Sequence, residues 1–176
     1  MEGDADKLIE AVTKQMQSIP EPPVTLQQIP EEHRCECCRV AVGHLTGALR
    51  NALDKTTAKR LDEDTYVAAL NAACEDDDLF SGYDVGPDKV LSHVGKAVGN
   101  PEKEEEQHKW KRRLQMICSE VLQTAGEGEV WSLFAASGDK RELPVRRVCA
   151  KEVRLCPKEK KRNQGRQPSK SKKSEL

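Results

Sequence analysis

The chemistry open to this sequence depends on its seven cysteines. A Cys-x2-Cys pair, Cys35 and Cys38, stands near the start of the series, and a Cys-x6-Cys pair, Cys149 and Cys156, ends it. Thiols in such pairs exchange disulfides, bind zinc or form structural bridges. The other three cysteines are Cys37, Cys74 and Cys118.

The first pair has one feature of a catalytic dithiol. Such dithiols lie at helix N-termini, where the helix dipole lowers the thiol pKa. Cys35 lies near a predicted helix start, beside Arg34 and Arg39. However, no thioredoxin-like βαβ pattern surrounds the pair, and both thiols have distant cysteines as partners. We therefore favour structural bridges and keep thiol exchange at Cys35 and Cys38 as the alternative.

A zinc site made from the two pairs is a third interpretation. The gap between Cys149 and Cys156 is longer than the roughly two to four residues of usual zinc knuckles. The four histidines stand at no ligand spacing from one another. The sequence therefore predicts no metal site, and it contains no glycine-rich phosphate loop that would bind a cofactor.

Apolar residues spaced by three and four predict the helices that carry the cysteines. The first helix covers residues 35–53 and the second covers residues 62–74. Pro87 can begin a third helix, over residues 87–98, which the Gly-Asn-Pro breaker at 99–101 ends. The longest stripe covers residues 110–125. No run alternates with period two for long enough to predict a strand.

Glycine and proline divide the rest of the chain. A short helix continues the pattern over residues 130–134, and Pro144 begins a last helix. An amphipathic helix is predicted for residues 1–17, whereas four prolines predict an extended linker over residues 18–30. We therefore predict an all-α domain of four to five helices over residues 31–157.

Charge divides the chain into an acidic body and a basic tail. Residues 157–176 carry a net charge of +6 and the remainder carries −7, although the whole chain carries only −1. Residues 158–176 contain too few apolar side chains to form a core, so we expect them to be disordered. The expected organisation is residues 1–30, residues 31–157 and residues 158–176. No stretch reaches the ~18 apolar residues of a transmembrane helix.

Two cross-links between the cysteine pairs would place the first and last helices side by side. Bridged Cα atoms lie within about 7 Å, whereas seven helical residues span about 10 Å. The last helix must therefore end before Cys156, and Pro157 is consistent with that end. Spacing alone leaves many pairings open.

The cysteine order and its surroundings resemble the canopy family of saposin-like proteins. The residues that carry the resemblance are HRCECCRVA at 33–41, YVAALNAAC at 66–74, the segment around Cys118, and VCAKEVRLC at 148–156. The resemblance implies a saposin-like bundle. It also implies three bridges and a free thiol: Cys35–Cys156, Cys38–Cys149 and Cys74–Cys118, with Cys37 unpaired.

The resemblance further implies a folding cofactor of the endoplasmic reticulum (ER) lumen. Such a protein binds secretory or membrane client polypeptides together with a large ER chaperone. The chain ends in four residues that resemble the Lys-Asp-Glu-Leu retrieval signal: Lys173, Ser174, Glu175 and Leu176. The start lacks the hydrophobic run of a signal peptide, so we expect a mature form whose leader has been removed.

Two other functions remain as alternatives. One is a thiol–disulfide oxidoreductase that uses Cys35 and Cys38, and the other is a lipid-interacting saposin. For the favoured function we expect a monomer that binds ER chaperones and clients. We expect no cofactor, no nucleic acid and no stable insertion into a membrane.

Overall fold

A computed structural model describes residues 20–157, and this part of the chain is mostly helical. The amphipathic helix expected over residues 1–17 and the tail expected over residues 158–176 lie outside the described residues. The extended linker predicted over residues 18–30 is described from Pro20 onward; it contains a short 3-10 helix, Leu26–Gln28, and Ile29 is fully buried in the core. The regular elements are α1 (Glu31–Asp54), α2 (Glu63–Glu75), β1 (Tyr83–Val85), β2 (Leu91–His93), α3 (Pro101–Ala125), α4 (Glu127–Ala136) and a π-helix (Arg147–Glu152).

Helix α1 is the central element and packs against both α2 and α3. It begins after Pro30, with Glu31 and Glu32 placed favourably at the positive end of the helix dipole. The predicted apolar face is confirmed, and the helix begins four residues before the predicted start at Cys35. Its buried side is formed by His33, Cys37, Cys38, Ala41, Val42, Leu45, Thr46 and Leu49.

The ends of the other helices follow local chemistry. Asp62 caps α2, because its carboxylate accepts a hydrogen bond from the Thr65 backbone N–H at 2.9 Å. Asn100 caps α3 in the same way, and Pro101 occupies the first turn, where a missing N–H is harmless. Gly126, at φ 83°, separates α3 from α4. All three helices were predicted from the sequence, but α3 begins nine residues before the predicted stripe at residue 110, because Asn100 and Pro101 start this helix instead of ending another.

The helix predicted over residues 87–98 is wrong, because the chain forms an antiparallel hairpin there. Strand β1 pairs with β2 through the register Asp84↔Ser92. The spacing of the valines suited a helix, but three of these apolar side chains are not buried: Val90, Val94 and Val98 are 43%, 57% and 89% exposed. Each strand is only three residues long, so period-two alternation is not visible in the sequence.

Gly82 is required where the hairpin closes. Its φ is 78°, and an added Cβ would lie 3.0 Å from the Gly95 carbonyl carbon. The Val94 N–H donates to the Gly82 carbonyl at 2.8 Å. A residue with a side chain would meet both steric strain and a backbone clash here.

The last predicted helix is present in a different form, as the π-helix Arg147–Glu152. It ends before Cys156, as expected if both cysteine pairs are to be cross-linked to each other. The N–H groups of Leu155 and Cys156 both donate to the Cys149 carbonyl, at 2.8 and 2.9 Å. Upstream of the π-helix, the Leu143 N–H donates to the buried Thr46 hydroxyl at 3.2 Å. The Leu143 hydrogen bond therefore attaches the upstream end of the segment to α1, and the other two hold its downstream end against the π-helix.

Candidate functional site

Three disulfides connect the helices. Cys35–Cys156 and Cys38–Cys149 join the start of α1 to the C-terminal segment, with Cα atoms 4.5 and 5.9 Å apart. The third, Cys74–Cys118, joins α2 to α3 with Cα atoms 5.4 Å apart. These are the pairs that the canopy resemblance implied. Cys35 and Cys38 are not bridged to each other, so the dithiol of the oxidoreductase alternative is divided between two long-range bridges.

The four cysteines of the zinc interpretation are the same four that form the two neighbouring bridges. A disulfide sulfur carries no thiolate charge and is therefore not the ligand that zinc requires. Within residues 20–157, no group of three or more His, Cys, Asp or Glu side chains is arranged to hold a metal ion.

Cys37 is the free thiol, and it lies fully buried in the core. Burial, together with the charge of Glu36, raises the pKa of the Cys37 thiol to about 12. The thiolate is the reactive form of cysteine, so this side chain remains an unreactive thiol at neutral pH. Cys37 therefore acts as a small core residue.

One feature that could bind a ligand is a groove between α1 and α2, with a volume of about 600 Å³. Its floor consists of small residues from both helices, and its rim is polar. The floor residues are Gly43, Gly47, Ala48, Ala52, Ala69, Ala72 and Ala73; the rim includes His44, Asn51, Lys55, Thr65 and Asp76. We call this surface the α1–α2 groove.

The two glycines of the groove have no role in internal packing. A Cβ placed on Gly43 or Gly47 would meet no atom within 4 Å. Glycine inside a helix nevertheless lowers stability by about 1 kcal/mol relative to alanine. The two glycines leave space against the α1 backbone. Another chain can therefore approach this backbone closely.

A cluster of rings surrounds His44, which lies on the rim of the groove. His44 Nε2 and Tyr83 Oη share a hydrogen bond at 3.1 Å, and the His44 ring meets Phe80 edge-on at 4.9 Å. Tyr83 in turn packs edge-on against His93 at 5.3 Å. Burial, reinforced by the nearby His93 and opposed by Asp76, lowers the pKa of His44. The cluster attaches the hairpin to α1.

Sequence reasoning missed the groove and its ring cluster. One signal was visible: Gly43 and Gly47 are separated by one helical turn, as are Ala48 and Ala52. That spacing places small residues along one face of a helix. The ring cluster had no such signal, because His93 lies in the segment that was predicted to be helical and Tyr83 lies before it, where no element was predicted.

Comparisons of this chain with protein families, curated proteins and solved structures find no match. The resemblance to the canopy family therefore rests on the segments quoted above. Among residues 20–157, no helix is both long enough and apolar enough to cross a bilayer. The retrieval-like residues Lys173, Ser174, Glu175 and Leu176 lie outside the described residues.

Proposed function

We propose that the protein is a saposin-like folding cofactor of the ER lumen, of the canopy type, which binds client polypeptides in the α1–α2 groove and works beside a large ER chaperone. The observation that carries this proposal is the open groove with its two unpacked glycines. Binding without turnover is the activity that such a surface supports.

The shape and chemistry of the groove suit a segment of polypeptide chain. Small side chains on the floor permit close backbone contact, and apolar contact there supplies sequence-tolerant binding. The rim side chains Asn51, Thr65 and Asp76 offer hydrogen-bonding groups to the backbone of an unfolded segment. Since unfolded chains expose both apolar side chains and unpaired backbone groups, this combination selects for unfolded clients.

The cysteines support the location. Three disulfides in one small domain are typical of an oxidising compartment. The retrieval-like ending adds a reason to favour the ER in particular. Deleting residues 173–176 from a protein expressed with its leader should cause secretion, measured in the culture medium. Retention without these residues would contradict this part of the proposal.

The groove is tested by filling it. Reduced and carboxymethylated α-lactalbumin serves as an unfolded probe, and its binding is measured by fluorescence anisotropy. Gly47→Leu places a large side chain on the floor and should weaken binding by about tenfold or more, a loss of roughly 1.4 kcal/mol. Ala68→Leu is the matched control, because Ala68 lies on the exposed side of α2.

The control should bind the probe as the parent protein does. Circular dichroism and thermal unfolding establish that both variants fold. Equal affinity of folded Gly47→Leu and parent protein would overturn the assignment of client binding to this groove.

A further inference from the structure

We propose that the Cys35–Cys156 bridge is a thiol–disulfide exchange site, at which an external dithiol reductant releases the C-terminal end of the domain while the other two bridges persist. The α1–α2 groove takes no part in this chemistry. The proposal rests on a difference in access, on the charges around the bridge and on the backbone that follows it.

The neighbouring bridges differ in access. Cys38 and Cys149 are both 0% exposed, and Cys74 and Cys118 are 5% and 0% exposed. Cys35 and Cys156 are partly exposed and line a surface cavity of about 400 Å³. Exchange requires a thiolate to reach a disulfide sulfur. The Cys35–Cys156 bridge offers that approach, whereas the other two bridges do not.

Two arginines lie beside the accessible bridge. Arg39 and Arg146 line the same cavity as the two sulfurs. Arg39 follows Cys35 by four residues on α1, so both side chains lie on the same face of that helix. A guanidinium group stabilises a thiolate and so makes Cys35 the better leaving group.

The backbone between the π-helix and Cys156 is strained. Arg154 has φ 60°, in the left-handed region that residues with a side chain rarely adopt. The strained turn is held by two hydrogen bonds to the Cys149 carbonyl and by the Cys35–Cys156 bridge. Opening the bridge removes the covalent restraint on this turn.

The exchange takes place in two steps and conserves atoms and electrons. A thiolate of the dithiol attacks Cys156 Sγ, the bond between the two protein sulfurs breaks, and Cys35 leaves as a thiolate that takes a proton from solvent. The second thiol of the reductant then attacks the mixed disulfide and releases Cys156. Two electrons pass from the dithiol, which becomes a disulfide, to the protein. Cys38–Cys149 still attaches the π-helix to α1.

Differential alkylation of the oxidised full chain tests the proposal, with dithiothreitol as the probe. Samples taken during reduction are blocked with iodoacetamide, fully reduced, labelled with N-ethylmaleimide and mapped by mass spectrometry. Cys35 and Cys156 should react together, at least about tenfold faster than the other four bridged cysteines, with helicity retained. Simultaneous reduction of all three bridges, or earlier reduction of another bridge, would overturn the proposal.

Two variants extend the test. Arg39→Gln should slow reduction of this bridge by about two- to fivefold, whereas Arg60→Gln, an exposed arginine outside the cavity, should not change it. Cys35→Ala/Cys156→Ala should speed hydrogen exchange at the Leu155 and Cys156 backbone amides without loss of helicity. Unchanged exchange at these amides would show that the bridge does not restrain the turn and would overturn the release step.

Discussion

The two halves of α1 have opposite roles. Residues 31–42 are cross-linked to the C-terminal segment by two disulfides and bury Cys37 and Cys38 completely. Residues 43–54 carry two glycines that touch nothing and line an open groove. One helix therefore contains both a part that two disulfides constrain and a part that lines an open groove.

The difference shows how a small core can retain an open surface. Each groove glycine lowers helix stability by about 1 kcal/mol, whereas closing a loop of about 100 residues with a disulfide stabilises the fold by about 4.7 kcal/mol in the chain-entropy model. The cross-linked half of α1 therefore stabilises a helix whose other half is not optimised for stability.

The largest expected effect comes from opening the cross-linked half entirely. When one of the two neighbouring bridges is left, it still joins the start of α1 to the C-terminal segment. The removed bridge would have closed only a small additional ring, so its loss lowers stability by about 3 kcal/mol. Removing both, in Cys35→Ala/Cys38→Ala/Cys149→Ala/Cys156→Ala, loses about 7 kcal/mol. Because whole domains have only about 5–15 kcal/mol of stability, this variant should be largely unfolded at 25 °C by circular dichroism.

The two single-bridge variants are its controls, and both should remain folded. Urea denaturation should show Cys38→Ala/Cys149→Ala to be the less stable of the two, because its sulfurs are fully buried and leave a cavity. A quadruple variant as stable as either single-bridge variant would contradict the constraint that we assign to this half of α1.

A smaller effect follows from one added hydroxyl group. Cys37→Ser places an unpaired hydroxyl in the fully buried part of α1 and should lower the free energy of unfolding by about 2 kcal/mol. Gly43→Ser places the same group in the groove, where a side chain meets no neighbour, and should cause no loss. Equal losses in urea denaturation would mean that the two halves do not differ in packing.

Substitution of the groove glycines should change the free energy of unfolding in the opposite direction. Gly43→Ala and Gly47→Ala should each raise the free energy of unfolding by about 1 kcal/mol, since the helix gains a better residue and the new methyl group meets no atom. Gly82→Ala is the control and should lose stability, because its backbone φ is 78° and a Cβ would clash. Loss of stability at either groove position would show that the space is filled in solution.

Sequence reasoning predicted the long helices because their buried faces repeat over several turns. The buried side of α1 repeats from His33 to Leu49 and that of α3 from Trp110 to Leu122, which is more than three turns in each helix. The hairpin was mispredicted because three-residue strands are too short to show alternation, and Leu91 is the only one of the apolar residues between 87 and 98 that is buried. Short elements depend on tertiary contacts that a local pattern does not contain.

The candidate sites, too, could be predicted from the sequence only in part. The cysteine pairing followed from a resemblance, since spacing alone did not select among many pairings. Whether a bridge is accessible depends on how the chain after Cys149 leaves the π-helix, which no periodicity predicts. The groove depends on how two helices diverge, and the glycine spacing reveals its floor but not its opposite wall.

The smallest effect tests the ring cluster at the end of the groove. Burial is the main cause that holds the pKa of His44 below its ordinary value of 6.5. The unfolded chain therefore binds this proton more readily than the folded one, and stability should fall as the pH drops through 6.5. His44→Gln removes the titrating group, so the difference in urea midpoint between pH 7.5 and pH 5.5 should shrink. Tyr83→Phe retains the burial and should retain the pH dependence; an unchanged pH dependence in His44→Gln would contradict this role of His44.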